Sequence, residues 1–237
     1  MGPFLLGCTA ADIQVITGQR RHETHFYRIP PTPNLHAWES MKLAYPELAD
    51  PYILPCKQAA FISGYLMHLV WDEAWAWEVF CPLYLESKIW ESHQIRSIHH
   101  NALRVLLDRE AEKDLHALPE LNPLLRKTEP ESWLPFAPDA ALCQWRDWIT
   151  NQLDNPQDVQ TAKVFAQRMH IPTEQLEDVI KAIAAHTCKP AIPGLKAAIR
   201  NFEARATTDS LTVLHEYWQS KKKKTEYKTQ IAVPCIH

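Results

Sequence analysis

The chain has 237 residues, room for one large domain or two small ones, and its 46% apolar and 22% charged residues are ordinary for a soluble globular protein. A net charge of −3 argues against a general nucleic-acid binder, and the longest apolar run, residues 59–71, is too short to span a membrane. Transmembrane, collagen-like and wholly disordered classes are excluded. Five glycines against 18 prolines suit helices joined by Pro-marked turns, and 12 histidines direct attention to a metal or acid–base site. The six cysteines, at 8, 56, 81, 143, 188 and 235, include no CxxC pair and read as buried free thiols of a reducing compartment. Residues Phe4 to Cys8 look like the end of a lipoprotein signal, but no Lys or Arg precedes them and the run is short. The sequence therefore reads as cytoplasmic, or as lacking its true beginning.

Helical periodicity dominates, and the expected fold is all-α: a multi-helix bundle around a buried central helix with a C-terminal helical extension. The first predicted helix runs from His36 to about Tyr45, before Pro46. The second, about 56–80, lies between Pro55 and Pro82 and is apolar nearly all round in its first half, as a helix at a bundle centre is. A third spans about 85–112. Five prolines between 118 and 138 mark a long ordered loop. Beyond it come a short helix over 143–153, one opened by Asn155-Pro156 and reaching about Met169, one capped by Thr173 and reaching about His186, and a long one over about 195–220. The expected organisation is a helical metal-site core (1–118), a Pro-rich connection (119–138), a helical extension packed on the core (139–220) and a flexible tail (221–237) that begins with four lysines.

The strongest local signal is His68-Leu69-Val70-Trp71-Asp72 in the buried second helix. Residues four apart share a helix face, so the imidazole and carboxylate can grip one divalent ion or bond each other. In so apolar a helix a charge is costly unless paired or metal-bound. Gly64, one turn earlier, lets something approach the helix closely, and Trp75 can wall a pocket. A second signal is Asp12, which follows the apolar, small-residue stretch Leu5 to Ala11, together with His25 in an aromatic stretch. Two imidazoles and two carboxylates make a plausible ligand set for zinc, iron or manganese.

Gly7 to Ile13, then Thr24-His25-Phe26, then Phe61 to Glu73, resemble the zinc-dependent phospholipase C family, to which fungal single-strand-specific zinc nucleases are distantly related. The resemblance covers roughly residues 4–108. It implies a helical fold with one to three zinc ions at the bundle centre. Asp12 and His25 match the family's early ligand pair, and His68 and Asp72 match its central HxxxD pair. It also implies that Asp12 doubles as the base that orients the attacking water. Two departures stand out. Only eleven residues precede Asp12 and none is His, so one metal position lacks ligands or the chain starts late. No HxxxE pair follows His68; the nearest substitutes are His93, His99 and His100 on the third helix. His93 and His100 lie nearly aligned, with Arg96 and Arg104 on the same face, which either lines a site or meets solvent. His100 is the better additional ligand, His93 a further one, and Asp108 can pair with Arg104 or bind metal. Arg21 and Arg104 are expected phosphate contacts. Glu73 is expected to support the site or to pack near Trp77.

The sequence thus favours a zinc-dependent phosphoric ester hydrolase of phospholipase C type, acting on a small-molecule or lipid-headgroup phosphoester. The alternative is a helical scaffold or interaction protein that keeps the fold without the chemistry, with at most one structural metal. No nucleic-acid partner is favoured.

Overall fold

A computed structural model describes residues 1–116, 118–154 and 160–231. Among them there is no β-strand, only an isolated bridge between Leu134 and Ala137. No helix of the described residues is long and apolar enough to cross a membrane.

The chain opens with α1 (Gly2–Ala10), started by Pro3 in its first turn, where a missing N–H costs nothing. A 3₁₀ turn (Ala11–Ile13) leads into α2 (Gln14–Thr17), stopped by Gly18 at φ +72°. Helix α3 (Arg21–His25) ends at Phe26, which takes φ +59°. That left-handed conformation costs a non-glycine about 1 kcal/mol or more and persists only where packing enforces it. Here the Phe26 ring sits edge-on to Tyr45 and Phe136, 5.9 and 5.4 Å away. Helix α4 (Ala37–Ala44) follows, with Glu39 bonding back to the His36 amide.

The central helix α5 (Cys56–Trp75) continues without a break as a π-helical segment, Ala76–Leu85, that contains Pro82. The sequence places the stop before Pro82, because proline removes a bond and clashes with the preceding turn of an α-helix. The wider π turn accommodates it: the Glu86 N–H reaches Cys81 O, five residues back, at 2.9 Å. Then come α6 (His93–His116), α7 (Leu121–Arg126), α8 (Asp139–Asp154), α9 (Gln160–Met169), α10 (Thr173–Ala184) and α11 (Leu195–Ile231).

Helix α7 therefore interrupts the expected Pro-rich loop, and α6 begins eight residues later than its periodicity indicates. Pro172, not Thr173, sits at the α10 N-cap, with no side-chain cap. Helix α11 runs on past the lysines to Ile231; residues 232–237 and the Asn155-Pro156 cap lie outside the described residues.

Two apolar cores interleave along the sequence. One joins α1, α4, α5, α7 and α8 around Leu6, Phe61, Leu66 and Trp133. The other joins the π segment, α6, α9 and α10 around Tyr84, Leu103, Ala166 and Leu176. Helix α11 contributes to both, through Val213 and Tyr217 to the first and Ala198 to the second. On α6 the buried residues include Ile98, Ala102 and Val105, as the sequence pattern requires, and His99 joins them.

Where α1 crosses α5, two glycines meet backbone. A Cβ on Gly7 would lie 2.0 Å from the Phe61 carbonyl oxygen, and one on Gly64 would lie 2.1 Å from that of Phe4. Neither position admits any side chain. The close approach expected at Gly64 is thus made by α1 itself, and it sets the distance between the turn carrying Asp12 and the helix carrying His68.

Candidate metal centre

Asp12, on the 3₁₀ turn after α1, faces His68 of α5 and His25 at the end of α3. One ligand atom from each lies within 4.8 Å of the others. His25 Nε2 is 3.5 Å from one Asp12 carboxylate oxygen, and His68 Nε2 is 3.9 Å from the other. Two N or O ligands of a tetrahedral zinc stand about 3.3 Å apart, so an ion needs only small adjustments here. The two rings meet edge to face, with centroids 5.3 Å apart.

Each imidazole is oriented from behind. His68 Nδ1 is 2.9 Å from the Cys8 carbonyl oxygen, and His25 Nδ1 is 3.2 Å from that of Arg21. A carbonyl can only accept, so each Nδ1 carries a proton, and each Nε2 faces Asp12, where a metal would displace any proton that it shares with the carboxylate. That is the tautomer of a metal-binding histidine whose other nitrogen is tied to the protein. The Tyr65 hydroxyl donates to Thr24 O at 2.6 Å and anchors the end of α3. Gln14 donates to Asp12 at 3.3 Å and accepts from the Thr24 hydroxyl at 2.8 Å, which holds the carboxylate in place.

The protonation states suit a cation. Burial pushes the Asp12 carboxyl up, but His25 bonding to it and the charges of His68, His25 and Arg104 bring it well below the usual carboxylate range. Burial also lowers the His68 pKa, against the opposing pull of Asp12. A metal requires an ionised carboxylate and deprotonated Nε2 atoms of its ligands, so binding here would release the protons that the imidazoles share with Asp12.

Asp72, the other half of the HxxxD pair, lies 3.9 Å from His25 Nε2 through its Oδ2. That oxygen accepts a 2.7 Å bond from the Tyr27 hydroxyl and a short ion pair from Arg21. Burial opposes its ionisation, yet Arg21, His25 and His68 keep its carboxyl below the usual value. Arg21, expected at a phosphate, is thus engaged by Asp72, with its guanidinium 4.8 Å above the Tyr27 ring. The same residues, spaced i and i+4, therefore diverge: His68 turns to Asp12 and Asp72 to Arg21.

Asp12, His68 and Asp72 open onto a cleft of about 600 Å³, with His25 behind them. The opposite wall belongs to α6, whose His100, Arg104 and Asp108 line it at four-residue spacing. Aromatic groups from α5, α8 and α9, among them Trp75, Trp148 and Phe165, close the remainder. His100 reaches the cleft, but its Nε2 accepts a 3.0 Å bond from the Trp75 indole N–H. Burial and the nearby Arg104 charge push its pKa down to about 3. His93 is exposed at the start of α6 and does not line the cleft. His99 is buried in the second core against Trp90, 5.1 Å ring to ring. The Arg104 guanidinium lies 4.9 Å over the Phe165 ring.

Some contributors carry no sequence motif: Gln14 and Tyr27, which together with Thr24 of the Thr24-His25-Phe26 stretch fix Asp12 and Asp72, and Arg168, a further cation lining the cleft. Glu73, one residue on, faces away. It is 2% exposed and accepts from His36 Nδ1 at 2.9 Å, the Ala37 amide at 2.8 Å and the Trp77 indole at 3.4 Å. It thereby pins the start of α4 to α5.

No curated protein and no solved structure gives a significant match to the chain. A segment matched by a family model ends at the last residue of α5 and contains Asp12, His25, His68 and Asp72, and it supports a zinc-hydrolase kind of function. Residues 1–75 of this chain match the family model described as zinc dependent phospholipase C.

Proposed function

We propose that the protein is a zinc-dependent phosphoesterase of phospholipase C type, with Asp12, His25 and His68 as the metal ligands. The observation that supports this most is the convergence of two Nε2 atoms and one carboxylate at the head of a large cleft. Three protein ligands with an open fourth direction are the pattern of catalytic zinc, whereas structural zinc is usually enclosed by four. Asp72, already near His25, is the reserve fourth ligand and is held ready by Arg21 and Tyr27.

Zinc bound there supplies Lewis acidity: it offsets negative charge on a phosphoryl group and brings the pKa of a water down to about 7. The chain's own residues supply the remainder. Asp12, held ionised, is a ligand and an acceptor that orients the attacking water more than a base that removes its proton. Arg104 and Arg168 place positive charge on the cleft walls, where a phosphodiester's oxygens need it. Trp75, Trp148 and Phe165 exclude water and offer apolar surface to the ester's organic arm. A lipid phosphoester fits this combination of cations and aromatic surface.

The test is hydrolysis of a p-nitrophenyl phosphodiester by zinc-loaded protein, after chelation and after adding zinc back. The proposal expects turnover that chelation abolishes and zinc restores, and that His25→Ala lacks. Zinc-loaded, folded wild type that hydrolyses neither this diester nor a phospholipid would refute it.

A further inference from the structure

Resting on that phosphoesterase reading, we infer that Asp108 is the group that protonates the leaving oxygen, a catalytic acid on the α6 wall of the cleft opposite the Asp12–His25–His68 cluster. Asp108 lies two turns beyond His100 on the face that lines the cleft, and it is open to solvent from the cleft side. Among the described residues its carboxyl has no hydrogen bond or ion pair. Arg104, one turn earlier and the natural partner, directs its guanidinium over Phe165. An alkoxide leaving group needs a proton donor on the side of phosphorus away from the nucleophile; of the other acids that line the cleft, Glu112 lies one turn further along α6 and the remaining two are already committed. Asp12 and Asp72 are held ionised.

The charged and titratable groups that line the cleft with Asp108 are Arg104, His100 and Glu112 of α6, Cys8 and Asp12 of α1 and the turn after it, His68 and Asp72 of α5, Arg21 and Tyr27 beside Asp72, and Arg168 of α9. Desolvation within the cleft raises the Asp108 pKa to about 6; Arg104 opposes this, and Glu112 and Asp12 add to it. A carboxylic acid near that value keeps its proton long enough to donate it close to neutral pH.

In the step itself, a hydroxide oxygen bonds to phosphorus as the bond from phosphorus to the leaving oxygen breaks. The electron pair stays on the leaving oxygen, which takes the Asp108 proton and departs as an alcohol. The Asp108 carboxylate recovers its proton from solvent.

The experiment compares wild type with Asp108→Asn on two phosphodiesters. One, methyl p-nitrophenyl phosphate, expels a phenolate that needs no proton. The other, a glycerol-type dialkyl phosphodiester, expels an alkoxide that does. The variant is expected to lose about 100-fold or more on the dialkyl ester and to stay within a few-fold of wild type on the nitrophenyl ester. Wild-type activity on the dialkyl ester is expected to fall above about pH 6, a limb missing from the nitrophenyl profile. A readout independent of turnover is the carboxyl carbon-13 titration in zinc-free protein, with the Asp108 midpoint near 6 rather than at the ordinary 3.8. Equal losses on both esters, a fall in zinc content on substitution, or an ordinary midpoint would each overturn the assignment. Inactivity of zinc-loaded wild type on both esters would instead remove the phosphoesterase reading, and this role with it.

Discussion

Gly64→Ala is the sharpest probe of how the centre is positioned. The added methyl would sit 2.1 Å from Phe4 O and 2.8 Å from the Cys8 amide nitrogen, and both are backbone atoms of α1. No rotamer change relieves such a clash. The helices must separate by about 1.3 Å or more to restore van der Waals contact. The 2.9 Å bond between His68 and Cys8 O then opens, because Cys8 moves with α1 and His68 stays with α5. Overpacking of this kind costs about 2–3 kcal/mol, which for a chain of this size lowers Tm by roughly 5–10 °C. Loss of the bond that orients a ligand's second nitrogen lowers metal affinity by roughly 10–100-fold. Calorimetric unfolding and competitive zinc titration measure the two effects. A variant with wild-type Tm and wild-type zinc affinity would refute the claim that this crossing sets the site.

The other predictions follow from single contacts. Tyr27→Phe removes the 2.7 Å bond to Asp72 and is expected to cost about 1 kcal/mol in chemical denaturation; an unchanged midpoint would show that Arg21 alone holds that carboxylate. Glu73→Ala leaves the part-exposed His36 ring nitrogen and the buried Ala37 amide without their acceptor, and is expected to cost about 2 kcal/mol, read from the shift in urea midpoint. Arg109 holds Glu177 across α6 and α10 at 2.5 Å and lowers its pKa, chiefly through that hydrogen bond. A depressed carboxyl stabilises the fold above its ordinary value of 4.5, and the contribution is lost as pH falls through the lower folded value. Glu177→Gln is therefore expected to be less stable than wild type at pH 7 and to converge with it in acid; a constant gap across pH would contradict the pair's role.

What the sequence disclosed follows from range. The all-α architecture and the buried α5 are written in local periodicity, and His68 and Asp72 in a four-residue spacing. Asp12 and His25 stood out because polar groups within apolar stretches need a reason to be there. The remainder depends on partners distant in the chain. Helix α1 carries Gly2 and Gly7, which count against a helix by propensity; only the crossing with α5 explains Gly7. That Asp72 is bound by Arg21, 51 residues away, and that His100 is taken up by Trp75, 25 residues away, no spacing rule predicts. The continuation through Pro82 is a choice of helix type, which propensity does not encode. The cleft itself forms between two cores whose members alternate along the chain, so its lining from α6, α8 and α9 becomes visible only in the fold.

The measurement that bears most directly on the central claim is zinc content by elemental mass spectrometry, on protein purified without affinity tag or chelator. Wild type would be compared with His25→Ala and His68→Ala, with circular dichroism to confirm that each variant is folded. The account predicts at least one zinc per wild-type chain and a loss of that ion in both variants. Wild type without zinc, and without uptake when zinc is added, would contradict it and leave Asp12, His25 and His68 as a hydrogen-bonded cluster.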